Sequence, residues 1–498
     1  MAFTYRQALP YIILSILAIP LFFLNIYNVH SWGDDFSQYI KEAQNIAHGR
    51  PYYLSNYVFN KYNPVYAPPQ YPPGFPLMLA PVVKIWGLSF TAMCYFNSVI
   101  IAALLFALYA FFRKYAGIAA SICLAVLIAY SGFMIDLKKN ILADAPSLLF
   151  VVIYLTLRRS NTFSWRRILA LVLLAAAAIQ TRSQTIFLLP AEAIFLAVAV
   201  IRNRFKVRSS IATSMHTYPS AYIIAGVVIL NLLLDKVIFA TPISTSGFYN
   251  NFIKDTLQGH ILEYVSQYIG YVFTTFTSYF HYEAENGFAR LCITIVEAAA
   301  ITLSLAGFAI KCRRNFEVHD IFFLIMCLLI LFYPVRDTRY FLPAVPVLYL
   351  YCYIALRALL PLVTPVKPSY IAVAITCIYL LAGSAYLKKA ATEITPGCIP
   401  APKDIAAFSY LSTHVKDNEI IVFTKPRALT LFTNRKAMNV SWQQSLEQNR
   451  KVFDSLGVKY MLVIDGFEDG FFKDYLRTAQ PTIDSARIAE GYMLYTLR

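Results

Sequence analysis

Two adjacent carboxylates, Asp34 and Asp35, lie in the stretch Ser31-Trp-Gly-Asp-Asp-Phe-Ser-Gln-Tyr39, a few residues beyond an apolar first run. A carboxylate set against an acceptor hydroxyl can act as a general base. Taking such a pair out of water is costly. Beside an apolar run it marks either a solvated loop start or the working end of an enzyme at a membrane face. Three further polar sites carry complementary chemistry: Asp136, Lys138, Lys139 and Asp144; Thr181-Arg-Ser-Gln184; and Arg336-Asp-Thr-Arg-Tyr340. Arginines and lysines hold phosphate and stabilise its charge as it leaves. Tyrosine rings offer flat faces for sugars, with hydroxyls that orient them.

The elements that must position these residues are apolar. The 498-residue chain is 58% hydrophobic and 14% charged, with a mean hydropathy of +0.55. Its apolar runs suit a bilayer, which takes about 20 residues per crossing helix. Eleven spans are expected, at 8–28, 91–112, 115–135, 144–158, 166–181, 184–201, 219–240, 290–311, 319–334, 340–360 and 369–387. The formal charge of +16 falls mostly in short clusters between runs: Arg113-Lys114, Arg158-Arg159, Arg166-Arg167, Arg202 to Arg208 and Lys311 to Arg314. That is the pattern of cytoplasmic loops, and it argues against nucleic acid as the reason for the basicity. The N-terminus is therefore expected inside, and the tail from residue 388 outside. Of eight cysteines, only Cys398 falls in an outer region, so no disulfide framework is read. The first run lacks a small-residue cleavage site and reads as an uncleaved span.

Two outer loops follow, at 29–90 and 241–289. The first holds the acidic pair, Tyr39, Tyr71 and the stretch Pro68-Pro-Gln-Tyr-Pro-Pro-Gly-Phe-Pro76, whose prolines argue against a regular helix. Leu77 to Trp86 is short for a span and is expected along the interface. The second loop contains His281, Glu283 and Glu285, a metal set by residue type alone; with no paired-histidine motif, no metal site is assigned. The tail reads as a small α/β domain, with strands at Glu419–Thr424 and Val458–Ile464 and helices at Pro402–His414 and Ser445–Leu456. The division is thus a membrane domain, 1–387, carrying both loops, and an outer α/β domain, 388–498.

On this topology the four polar sites share the outer face, and the membrane midplane is almost free of ionisable groups. An ion-coupled transporter would keep charges within its spans. Charges at one surface suit chemistry on a lipid headgroup whose tail stays in the bilayer.

Several motifs resemble those of the GT-C superfamily of membrane glycosyltransferases, in the bacterial branch related to protein O-mannosyltransferases and the lipid A aminoarabinose transferase. Asp34-Asp35 with Tyr39 resembles the family's acidic signature in the first outer loop, although relatives often have Glu where this chain has Asp35. Tyr71-Pro-Pro-Gly-Phe-Pro76 is similar to the Pro-Pro turn before the second span. Asn140-Ile-Leu-Ala-Asp-Ala-Pro146 resembles the Asp-x-Pro stretch opening the fourth. Thr181-Arg182 and Arg339-Tyr-Phe-Leu-Pro343 resemble the Thr-Arg and Arg-Tyr-x-x-Pro motifs. The resemblance covers about residues 8–387. It implies a multi-pass enzyme of the bacterial inner membrane that moves a sugar from a polyprenyl-phosphate donor to an acceptor hydroxyl at the outer face. It further implies inversion at the anomeric carbon and no nucleotide.

In that reading Asp34 or Asp35 is the base, and Lys138, Arg182 and Arg339 hold the donor phosphate. Tyr39, Tyr71, Asp144 and Tyr340 contact sugar or acceptor or support the site. Each has a plainer alternative: a loop carboxylate or helix cap for Asp34 and Asp35, a cap for Asp144, an interfacial anchor for Arg182, snorkelling for Lys138, an aromatic belt for Tyr340. No cofactor is called for by the residues, and a divalent metal is left open without support. The rival functions are a lipid-linked sugar flippase or transporter, and a glycan polymerase or ligase. The acceptor, whether lipid, glycan or protein, is left open.

Overall fold

A computed structural model describes residues 5–62, 68, 70–159, 164–202, 218–241, 287–332, 337–394, 397–441, 444–465, 470–479 and 484–497. The chain forms two compact units: Met1–Ile26 with Cys94–Ala240 and Thr256–Glu393, and Tyr27–Met93 with Thr241–Asp255 and Ile394–Arg498. The first outer loop thus folds with the tail, in one unit. His281, Glu283, Glu285 and Arg336 lie outside the described residues.

The first unit is helical and apolar. Among the described residues, four helices are long and apolar enough to cross a membrane: Phe90–Phe112, Ser183–Ile201, Pro219–Ile238 and Thr338–Leu362. Two bent pairs bring the number to six: Ile118–Ala129 with Gly132–Lys139, and Pro368–Ala382 with Ser384–Thr392, bent by 50° and 48°. The expected span 115–135 is therefore broken. Tyr130 closes one helix and Ser131 starts the next, its Oγ accepting from the Met134 N–H at 3.2 Å, as a serine N-cap does. Other expected spans form shorter helices, such as Asp144–Arg158 of 15 residues and Trp165–Thr181 of 17. They fall below the length that crossing by itself requires.

The second unit is built on a five-stranded sheet: β1 (Ile420–Val422), β2 (Lys436–Met438), β3 (Val458–Ile464), β4 (Asp484–Ala489) and β5 (Tyr492–Thr496). The order is β2-β1-β3-β5-β4. β1 runs parallel to β2 and β3, and β5 runs antiparallel to β3 and β4. Helix Pro402–His414 lies where the sequence puts it, and Leu446–Leu456 is closed by a Ser445/Gln448 capping box. One face of the sheet buries Leu411, Ile421, Phe423, Leu429 and Leu462, with Trp32 of the first loop packed against them.

The loop joins the sheet by its backbone as well. The Val58 N–H donates to the Ala437 carbonyl at 2.8 Å, and the Ala437 N–H donates to the Asn56 carbonyl at 3.2 Å, beside β2. Helix Gly74–Trp86 starts within the stretch expected to be irregular, with Pro73 as its N-cap. Pro76 falls in its first turn, where the missing N–H has no intrahelical partner to lose.

Candidate active site

The second unit assembles the acidic pair. Asp34 is the N-cap residue of helix Asp35–Ala47 but makes no side-chain cap bond there. Its Oδ1 accepts instead from the Ala428 N–H at 3.5 Å, in the first turn of helix Pro426–Thr433. Burial lifts the Asp34 carboxyl to about 6, against the pull of Arg427 and Lys425 and with a push from the like charge of Asp35. A carboxyl titrating there is ionised at neutral pH and is a stronger base than an ordinary aspartate.

Asp35 is fixed more tightly. The Tyr71 hydroxyl donates to its Oδ1 at 2.6 Å, and Arg427 Nη1 lies 3.6 Å away. The same Tyr71 oxygen accepts from Arg427 Nη1 at 3.1 Å. Arg427 Nη2 donates to the Pro68 carbonyl. The guanidinium lies over the rings of Tyr57 and Tyr71, 5.0 Å from each centroid, and its side chain is fully enclosed at 0% exposure.

Helical spacing builds the layer behind. Asp35 and Tyr39, like Gln38 and Glu42, are four residues apart and so share a face of helix Asp35–Ala47. Tyr39 stacks on Tyr71 at 4.4 Å and meets Phe75 edge-on at 5.1 Å. Glu42 Oε1 accepts from Gln38 Nε2 at 2.7 Å and from the Tyr71 N–H at 3.1 Å. Its other oxygen has no hydrogen-bond partner among the described residues. Burial raises the Glu42 carboxyl to about 8, so it is neutral at pH 7.

The first unit gathers a second cluster. Arg182 Nη1 pairs with Asp144 Oδ2 at 2.7 Å, with side chains 11% and 0% exposed. Asp144 begins its helix and Ala143 is the N-cap, so the capping alternative for Asp144 gives way to an ion pair. Two guanidinium groups approach the Tyr340 ring, Arg182 at 5.4 Å and Arg339 at 5.6 Å from its centre. Arg339 Nε pairs with Asp337 Oδ2 at 2.7 Å. Each guanidinium is also paired with a carboxylate, Asp144 or Asp337, so the like charges at this ring are offset within the cluster.

Lys138 shares neither set of contacts. Its side chain is buried, and its ammonium donates to the Leu21 carbonyl at 2.8 Å and to that of Leu24. It satisfies carbonyls at the end of the first helical run, which otherwise lack partners.

Sequence reasoning missed Arg427, Glu42 and Tyr57. Arg427 was visible only as a charged residue beside a proline after a predicted strand. Glu42 was visible as a lone acid on the apolar side of an amphipathic helix. Among the described residues, no group of three His, Cys, Asp or Glu side chains could hold a metal ion.

The fold is that of the GT-C superfamily glycosyltransferases, as the motifs implied. Residues 70–233 match the family model described as dolichyl-phosphate-mannose-protein mannosyltransferase. The structure of ArnT from Cupriavidus metallidurans, bound to undecaprenyl phosphate, aligns at 11% identity over 98% of both chains with a TM-score of 0.56. The oligosaccharyltransferase of Archaeoglobus fulgidus aligns at 14% identity over 97% of this chain and 73% of its own, TM-score 0.60. The mycobacterial arabinofuranosyltransferase AftD aligns at 12% over 100% of this chain and 40% of its own, TM-score 0.53. No curated protein matches by sequence.

Proposed function

We propose that this protein is a membrane glycosyltransferase that moves a sugar from a polyprenyl-phosphate donor to an acceptor hydroxyl at the extracytoplasmic face. The observation that carries the reading is the unequal treatment of the two aspartates. Asp35 is held by Tyr71 and Arg427. Asp34 accepts from one backbone N–H and is lifted to about 6. Asp34 is therefore the base, and Asp35 anchors its neighbours. Asp34 removes the acceptor proton as the hydroxyl attacks the anomeric carbon, and the polyprenyl phosphate departs with the bonding electrons. A phosphate leaving group needs no strong acid, so one carboxylate suffices for an oxocarbenium-like transition state. Arg182 and Arg339, both beside Tyr340, bind the departing phosphate. Lys138 clamps a helix end. The undecaprenyl phosphate bound to ArnT supports a donor of this class.

The test is mass spectrometry of surface lipids and glycans from cells with and without the gene, which identifies the molecule that loses a sugar. Restoring the gene as D34N should leave that sugar missing although folded protein is present in the membrane. Full restoration by D34N would sink the assignment of the base.

A further inference from the structure

We propose that Arg427 is a positioning residue for the first-loop carboxylates, so that the C-terminal α/β region completes the base and is not an appendage to the enzyme. The inference rests on the reading of Asp34 as base given above.

Arg427 is the second residue of helix Pro426–Thr433. A cation there opposes the positive end of the helix dipole, and a fully buried guanidinium loses its hydration. Among the described residues, no group of the tail hydrogen-bonds or ion-pairs with this guanidinium. The compensation comes from the first loop. Among the described residues, the polar groups facing the guanidinium are the Tyr71 hydroxyl, the Pro68 carbonyl and Asp35, and the rings beneath it are Tyr57 and Tyr71. The next residue, Ala428, gives its N–H to Asp34. One helical turn of the tail thus meets both carboxylates, one by charge and one by a backbone donor.

The effect on Asp34 follows from the charges around it. Asp35 and burial favour the neutral acid, while Arg427, Lys425 and the Ala428 N–H favour the carboxylate. Tyr57, Tyr71 and Glu42 complete the surroundings, and Glu42 is neutral at pH 7. Without Arg427 the two aspartates would share a buried site with Lys425 as the nearby cation. Like charges so placed share a proton, and Asp34 would be protonated where it should act as base. Lysine keeps the charge but cannot reach Tyr71 and Pro68 together, because it lacks the planar fork.

The test is an infrared titration of the carboxyl groups of the purified full-length protein, with Asp34 isolated by subtracting the D34N spectrum. The midpoint should lie near 6 in the native protein, move up by about one pH unit or more in R427Q, and return most of the way in R427K. An unpaired Asp35 could unfold R427Q, so the same comparison is made between D35N and D35N/R427Q, where residue 35 carries no charge. An unmoved midpoint in the folded pair overturns the proposal. The readout needs no sugar donor. Transfer that survives D34N would remove the base assignment and leave the titration result intact, so the two failures are distinguishable.

Discussion

The Tyr71 hydroxyl donates a 2.6 Å hydrogen bond to Asp35, 36 residues earlier in the chain. On the reading of Asp34 as base, this bond engages Asp35 and leaves Asp34 for the chemistry. Because the same oxygen accepts from Arg427, the arginine polarises the hydroxyl that Asp35 accepts from, and Asp34 is the less engaged of the two. Replacing Tyr71 by Phe removes only that oxygen and keeps the stack on Tyr39. A hydrogen bond to a charged group contributes about 1.5–3 kcal/mol. Y71F should therefore lower the thermal stability of the folded protein measurably and reduce sugar transfer at least about tenfold, read by complementation of the deletion strain. Wild-type transfer by Y71F would show that Asp35 needs no such anchor.

If Asp34 is the base, it should set the pH dependence of transfer. A base must be ionised, so activity should rise as pH increases through about 6 and level off above it. An ordinary aspartate would have completed that rise near pH 5. The measurement is the pH-rate profile of transfer in membranes once the donor is known. An acid limb centred near 4 would mean that Asp34 is not the base.

Glu42 should act on stability. Its folded value, about 8, lies above the unfolded value of 4.5. The native state holds the proton more tightly, so the contribution of this group is fully present below pH 4.5 and is lost progressively until about pH 8. E42Q does not titrate. Melting temperatures of the two proteins should therefore diverge in favour of E42Q as pH rises from about 4.5 to about 8, and run parallel beyond. Parallel curves across the whole range would mean that Glu42 is not held neutral.

Much of this fold is legible in the sequence because apolar periodicity and caps are local signals. Helix Pro402–His414 and strand β3 match the residues that patterning assigns them. The proximity of Arg182, Asp144, Tyr340 and Arg339 is legible as well, since each opens or closes an apolar run and turns at the same surface. Arg427 is not legible. Its partners lie more than 350 positions earlier, and no periodicity links a turn in the tail to a tyrosine in the first loop. Nor does composition reveal that the first loop adds backbone hydrogen bonds beside β2. The break at Ser131 is hidden for the opposite reason: hydropathy is continuous across it, and a single cap residue sets the bend.

Lys138 gives a sharper test of the phosphate assignment. Its ammonium satisfies the carbonyls of Leu21 and Leu24. K138M strands both, at about 1–3 kcal/mol for each buried unsatisfied group. The variant should melt earlier than the native protein. Binding of undecaprenyl phosphate, measured on the folded fraction by microscale thermophoresis, should be unchanged. A large loss of affinity in K138M would make Lys138 a donor contact after all.

Arg182 should behave in the opposite way, and its pairing with Asp144 allows stability to be separated from binding. The two side chains are 11% and 0% exposed and 2.7 Å apart, so removing one partner leaves the other charge buried and unpaired. Breaking such a pair costs about 3–5 kcal/mol, whereas replacing both partners is often close to neutral. R182Q and D144N should each destabilise strongly, and R182Q/D144N should recover most of the loss. If Arg182 also binds the donor phosphate, the double variant will be stable yet bind undecaprenyl phosphate at least about tenfold more weakly, since a charge-assisted contact is gone. D144N keeps the guanidinium and should bind as well as the native protein wherever it stays folded. A double variant with native stability and native affinity would reduce Arg182 to a structural partner of Asp144 and leave Arg339 as the phosphate-binding arginine of the cluster.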